Sequence, residues 1–249
     1  MNTIINTQLN HRSYRSYTSK KVEPEKLDAV IKASQAAPSW INGQQVSIIA
    51  VFDDQRKKRL SELVGNQAYV AEVPVFLIFC ADFYRAQLAG EVHGKTLEAI
   101  DDVDALLVGA TDVGLAMSNA ITAAESLDLG TVPIGGIRKN PLEVIELLEL
   151  PKHVIPIAGL CVGYPSEDPG LKPRLPKEAI YHEESYQTNV AALIESYDQS
   201  MRAYMHKRTN GAQSTSWTER VSSFYEKPYY TSIAQMLEKQ GFTCKNIKE

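Results

Sequence analysis

Short apolar runs alternate with amphipathic stretches over the first 165 residues. Residues 46–52 and 73–80 are nearly unbroken apolar runs bounded by turn formers. Such runs predict strands covered on both faces. Residues 154–162 predict a further strand, closed by Gly163-Tyr164-Pro165. Helical patterns fall between them. Residues 3–9 predict a short helix. Pro24-Glu25 opens another, since proline suits the first turn and an acid suits the N-terminal dipole. Its apolar positions Leu27, Val30 and Ile31 have helical spacing, and it should stop near Pro38. Asp53-Asp54 opens a charged helix that runs through Leu60 and Leu63 to Gly65.

A long helix over 101–127, closed by Gly130, is apolar on most of its circumference, which predicts burial all round. Residues 131–138 read as a short strand or loop holding Gly135-Gly136. Asn140-Pro141 starts a helix to Leu150. Helices are predicted over 189–207, 217–224 and 228–240. The pattern implies one α+β domain, with a core over 1–185 and an extended C-terminal arm over 186–249.

Composition changes this picture in two places. The 249 residues carry a net charge of -4, which argues against a dedicated nucleic-acid binder. Residues 186–249 hold 8 basic and 6 acidic side chains, against 18 and 24 in the rest. That arm is polar and rich in Tyr, so few of its stretches look able to form a core alone. Three scattered cysteines fit a reducing compartment better than a disulfide framework. No leader or membrane-spanning pattern stands out, because Asp112 interrupts the most apolar stretch. The expectation is a cytoplasmic protein without membrane partners. The five histidines are dispersed, and no metal site is expected.

Four segments carry candidate chemistry. His11-Arg12-Ser13-Tyr14-Arg15 gathers cations and a hydroxyl suited to a polyanion. In an extended chain Arg12 would lie opposite the face shared by His11, Ser13 and Arg15. Lys172-Pro173-Arg174 is a stiff basic stretch. Pro133-Ile134-Gly135-Gly136-Ile137-Arg138 lets backbone amides approach a flat ligand. The segment 37–44, with Ser39, Trp40 and Asn42, is crowded with hydrogen-bonding groups, and Gln67 and Tyr69 form a smaller group. Each alone reads equally well as a turn or a solvated loop.

Taken in order, these pieces resemble the FMN-dependent nitroreductase superfamily. Within it they are most similar to the NADPH-preferring flavin reductase P and major oxygen-insensitive nitroreductase group, including its Bacillus-type nitro/flavin reductases. Gly159-Leu160-Cys161-Val162-Gly163-Tyr164-Pro165, Leu171 to Pro176, Trp217 and Gln240-Gly241-Phe242 add to the match. The resemblance implies a nitroreductase-like fold, with a mixed or antiparallel sheet and flanking helices around a long buried one. It implies a homodimer with tightly bound, non-covalent FMN at the interface.

His11, Arg12, Ser13, Arg15, Lys172 and Arg174 would hold the phosphate and ribityl chain. Ser39 and Gln67 would hydrogen-bond the ribityl or the polar edge of the flavin. Ile134 and the Gly135 and Gly136 amides would face the ring. Arg208, in a mobile basic loop over 205–211, would grip the 2′-phosphate of NADPH, with NADH as a possible substitute. Trp40, Asn42 and Tyr69 would meet the electron acceptor. The implied reaction is a ping-pong, two-electron reduction of free flavin, nitroaromatics or quinones, with no acid–base side chain required. Other chemistry on the same fold, such as dehalogenation, and a non-catalytic flavin-binding module are the alternatives.

Overall fold

A computed structural model describes residues 1–247. In chain order the elements are α1 (Thr3–Leu9), α2 (Pro24–Gln35), β1 (Val46–Val51), α3 (Asp54–Leu63), α4 (Ala68–Glu72), β2 (Val75–Asp82) and α5 (Tyr84–Val92). They continue with α6 (Val103–Ser126), β3 (Gly130–Ile134), α7 (Pro141–Leu147), β4 (Val154–Gly163), α8 (Ala191–Arg208), α9 (Trp217–Tyr225) and α10 (Ile233–Gln240). The chain forms two compact units. One spans Met1–Pro169 and the segment from Tyr230 onward; the other spans Gly170–Tyr229.

The first unit is built on an antiparallel sheet of order β1-β2-β4-β3. Both faces of β2 are buried, as its unbroken apolar run predicts. Val75, Leu77, Phe79 and Ala81 point to the side covered by α6 and α2. Phe76, Ile78 and Cys80 point to the side covered by α3 and α7. The two strand prolines sit where a missing N–H is tolerated. Pro133 is on edge strand β3, and Pro156 lies at the register shift between Phe79 and Cys80.

Asp53 caps α3 by accepting the Arg56 N–H at 2.8 Å. Asp102 caps α6 through the Asp104 N–H at 2.9 Å. Asn140 does not cap α7; its side-chain amide donates instead to Leu63 O at 2.7 Å.

The long helix departs from its expected burial on all sides. Small residues of α6, including Ala105, Gly109, Ala116, Ala120 and Ala124, form the face laid on the sheet. Leu107 and Leu115 on other faces are exposed, at 63% and 41%. The helix is long and apolar enough to cross a membrane by composition, and its small-residue face is what lets it lie close to the sheet instead.

Two helices escaped the sequence reading. The pattern of α4 is only five residues long, and α5 has no side-chain cap and buries little beyond Gly90. From Tyr230 onward the expected arm belongs to the first unit. Met236 and Phe242, each 2% exposed, enter the core beside α6, with the Phe242 ring edge-on to Phe83.

Cys80, Cys161 and Cys244 are buried and unpaired. Burial pushes the Cys80 thiol up to about 12 and raises the other two as well. Thiolate is the reactive form, so it is scarce at pH 8. Iodoacetamide at pH 8 should leave Cys80 and Cys161 unmodified in the native protein and label all three cysteines in urea. Rapid native labelling of either strand cysteine, read by mass spectrometry, would contradict this packing.

In the second unit α8 and α9 pack together. Ser216 and Glu219 form a capping box at the start of α9. Asp198 accepts the Thr218 N–H at 2.9 Å, and the Tyr197 and Trp217 rings meet at 6.0 Å. Phe224, Tyr225 and Tyr229 meet in edge-to-face and tilted contacts while remaining exposed.

Candidate functional site

The basic segment after α1 is an extended strap along the edge of the sheet. Ser13 pairs in parallel with Thr131, and Tyr14 N–H donates to Thr131 O at 2.9 Å. Further on, Tyr17 pairs with Pro165 and Thr18 N–H donates to Tyr164 O at 2.9 Å. Strand β3 thereby links two segments about 120 residues apart in sequence. The strap lies beside its start, and Gly135-Gly136 follows its end.

The cations of the strap have specific partners. His11 Nδ1 lies 2.7 Å from Glu125 Oε1, which also accepts from the Thr131 hydroxyl at 2.8 Å. Arg12 Nε lies 2.9 Å from Asp168 Oδ1, an ion pair by distance without the alignment of a hydrogen bond. A cavity of about 460 Å³ borders Arg12, Tyr14 and Glu125. Glu125 and Asp168 were not singled out from the sequence. Glu125 merely ends an apolar helix there, and only the fold brings it to the strap.

A second cluster forms where the turn after β3 meets the loop before α4. Arg15 reaches the Tyr69 hydroxyl, and burial raises the Tyr69 pKa while that guanidinium opposes the rise. The same hydroxyl donates to Gln67 Oε1. Gln67 Nε2 donates to Val64 O at 2.8 Å. Gly136 is pressed against this pair: a Cβ there would stand 2.4 Å from Val64 O and 2.8 Å from Gln67 Nε2. Gly135 is open, with only Arg138 Nη2 within 4 Å of an added Cβ, at 3.9 Å. The fold therefore gathers Arg15, Gln67, Tyr69 and the glycine pair, with Ile134 buried just before it. Next to an accessible Gly135 backbone, that set suits a flat polar ligand.

Ser39, Trp40 and Asn42 lie elsewhere. Their turn leads into β1, whose first residue pairs with Ala81, and Ala81 pairs with Ile155 near the beginning of β4. The strap instead adjoins Thr131, which pairs with Val162 near the end of β4. The two groups thus occupy opposite edges and opposite ends of the sheet. Seven residues of strand alone span about 23 Å.

The turn carries positive φ at Ile41 (49°), Asn42 (55°) and Gln44 (53°). A β-branched residue such as Ile41 rarely adopts this conformation, which costs on the order of 1–3 kcal/mol. Ser39 Oγ closes the turn by accepting the Gln44 N–H at 3.1 Å. Arg85 ties its end, donating to Gln44 O at 2.6 Å and to Val46 O at 2.8 Å. Trp40 and Ile41 project outward, 63% and 80% exposed.

Lys172, Arg174 and Arg208 fall in the second unit. Arg174 folds back onto Lys172 O at 2.9 Å, and the Tyr197 hydroxyl holds Pro173 O at 2.9 Å. The basic loop expected over 205–211 is corrected. Residues through Arg208 complete the last turns of α8, and Arg208 donates to the Tyr204 hydroxyl at 2.7 Å. Basic residues suit that helix end through the dipole. The turn proper is short, with Gly211 at φ 87° and Thr209 Oγ1 accepting the Gln213 N–H at 2.9 Å.

An antiparallel sheet backed by one long helix, with a cationic strap and an accessible Gly135 on the same edge, defines an α+β protein with groups suited to a phosphorylated flat ligand. The chain belongs to the nitroreductase family: that family's model matches residues 9–164, and the model of the family's C-terminal domain matches 172–245. It is 51% identical over 245 residues to the FMN reductase [NAD(P)H] of Bacillus subtilis, covering 97% of this chain and 98% of that one. It is 37% identical to the oxygen-insensitive NADPH nitroreductase of Salmonella typhimurium, covering 98% and 100%. The structure of NfrA2 from B. megaterium superposes with a TM-score of 0.96 at 54% identity, covering 97% of this chain and 98% of that one.

Proposed function

We propose that this chain is an FMN-dependent, NAD(P)H-oxidising reductase of free flavin, nitroaromatics and quinones. The observation that carries the reading is the convergence of Arg15, Gln67, Tyr69 and Gly135-Gly136 beside the His11–Ser13 strap, in a chain half identical to a named FMN reductase. The residues suit FMN. Arg12 and Ser13, with His11 held by Glu125, supply the charge-assisted and hydroxyl donors that a phosphate takes. The open Gly135 backbone admits a planar ring, and Arg15 supplies a positive charge at its edge. When bound, FMN would supply two-electron redox chemistry at its ring. The chain's own residues bind and orient the cofactor, and Arg15 favours the more negative, reduced state by placing a fixed charge near it. Lys172 and Arg174 are assigned to the phosphate on the sequence resemblance alone.

In a homodimer Ser39 serves the ribityl or polar edge of the flavin, and Trp40 and Asn42 serve the acceptor. Sheet register supports this, since one chain sets them diagonally across from the strap. The exposed Leu107 and Leu115 of α6 and the exposed Phe224, Tyr225 and Tyr229 are apolar surface that a second copy would cover. Three unpaired cysteines accord with a cytoplasmic location.

The test is steady-state kinetics on purified, yellow protein. NADPH is compared with NADH, each against FMN and a nitroaromatic. Turnover with both acceptors supports the reading, and a protein that neither retains nor rebinds FMN overturns it. Arg208→Ala tests the nucleotide site. The KM for NADPH should rise roughly tenfold while that for NADH changes little, as for loss of one charge-assisted phosphate contact. Equal shifts for both would remove Arg208 from the 2′-phosphate.

A further inference from the structure

Asp112 places a carboxylate in the middle of α6, on the face laid against the core, where its neighbours are Ala, Gly and Val. It is 3% exposed. Oδ1 accepts the Trp40 N–H at 3.2 Å. Oδ2 is buried and has no hydrogen-bond partner among the described residues. Asp112 lines a cavity of about 370 Å³ that Ser39, Gln44 and Arg85 also line. A half-satisfied buried carboxylate is costly to keep, and an apolar residue would suit the helix better. Nor does its one bond hold core together, because the segment it grips carries side chains that point to solvent. What the bond fixes is the backbone from which Trp40 and Asn42 project. Arg85 ties the far end of the same turn, so the turn is clamped at both ends while its middle stays in a left-handed conformation.

We propose that Asp112 is a positioning residue for the electron acceptor. Its buried carboxylate presets the Trp40–Asn42 turn, and with it the side chains that orient a planar acceptor. The proposal rests on the reductase reading for the acceptor, and on geometry alone for the turn. An oxygen acceptor fixed on a packed helix suits the task because its position is set before anything binds. A turn held this way need not be ordered by the incoming molecule, so binding loses less entropy.

The experiment is amide hydrogen exchange by mass spectrometry on the FMN-loaded holoenzyme, paired with acceptor kinetics, for wild type, Asp112→Ala and Asp112→Asn. In wild type the Trp40 amide should be protected. In Asp112→Ala, exchange at residues 39–44 should rise about tenfold, with the rest of α6 unchanged. The KM for a nitroaromatic should rise by about the same factor at nearly constant kcat. Asn keeps a carbonyl acceptor and should restore most of both.

An unprotected Trp40 amide in wild type overturns the proposal even if the Ala variant does not fold. So does exchange that is unchanged in the Ala variant, or raised equally across α6 in both variants. Faster exchange with an unaltered acceptor KM overturns the positioning role. If wild type reduces no acceptor, the functional reading fails instead, and exchange still decides whether Asp112 sets the turn.

Discussion

Arg12→Ala is expected to lose FMN affinity by between tenfold and a hundredfold while the protein keeps its fold. The two effects separate because of where Arg12 sits. Its partner Asp168 is 64% exposed at the side chain, so water replaces the lost ion pair. Pairs of that kind contribute about 0–1 kcal/mol. A phosphate contact is different in size: loss of a charge-assisted hydrogen bond costs about 1.5–3 kcal/mol, which is tenfold or more in affinity. Arg12→Lys should fall between, since it keeps the charge and loses the planar fork. Fluorescence titration of the apoprotein with FMN measures the affinity, and a thermal melt measures the fold. A dissociation constant equal to that of wild type would take Arg12 out of the phosphate site.

The second large effect is expected at Gly136. An alanine Cβ would stand 2.4 Å from the carbonyl oxygen of Val64, at the C-terminal end of α3. Val64 is 2% exposed and part of the core, so its backbone cannot easily yield. Overpacking of this kind costs about 1–3 kcal/mol. At this chain length that lowers the Tm by about 2–12 °C. The displaced turn should also release FMN, because Gln67 lies against the same glycine at 2.8 Å. Gly135→Ala is the matched control. Its Cβ would meet only Arg138 Nη2 at 3.9 Å, so stability should change by less than about 0.5 kcal/mol. Any loss of FMN in that variant then reports the ligand's own approach to the Gly135 Cα. Equal Tm values for both variants and wild type would mean that Gly136 is not clamped by Val64.

The acceptor turn and the strap illustrate how a legible motif differs from a legible site. Both were visible as residue types. His11-Arg12-Ser13-Tyr14-Arg15 has the donors a polyanion needs, and 37–44 has the polar crowding of a ligand loop. Their relation was not visible, because it depends on which strands pair and in what register. Asp112 stood out in the sequence as an interruption of an apolar run. Its partner, the Trp40 N–H, could not be inferred, since the two lie 72 residues apart. Glu125 gave no signal at all until its carboxylate was seen between His11 and Thr131.

The sequence by itself determined the local elements. Unbroken apolar runs can only be strands or buried helices, so β2 and β4 were placed to within two residues at either end. Acids and prolines at helix starts act within one turn, so α2, α3 and α6 began within two residues of where their patterns put them. Tertiary structure alone decided the rest. It clad the sides of α6 that meet the sheet and α2 and left Leu107 and Leu115 open, because a helix buries only the sides that meet other elements. It drew Phe242 and Met236 out of a polar tail into the core. It also set the cationic strap and the Ser39–Gln44 turn at opposite corners of one sheet. Strand pairing acts between residues far apart along the chain, and no local pattern records it.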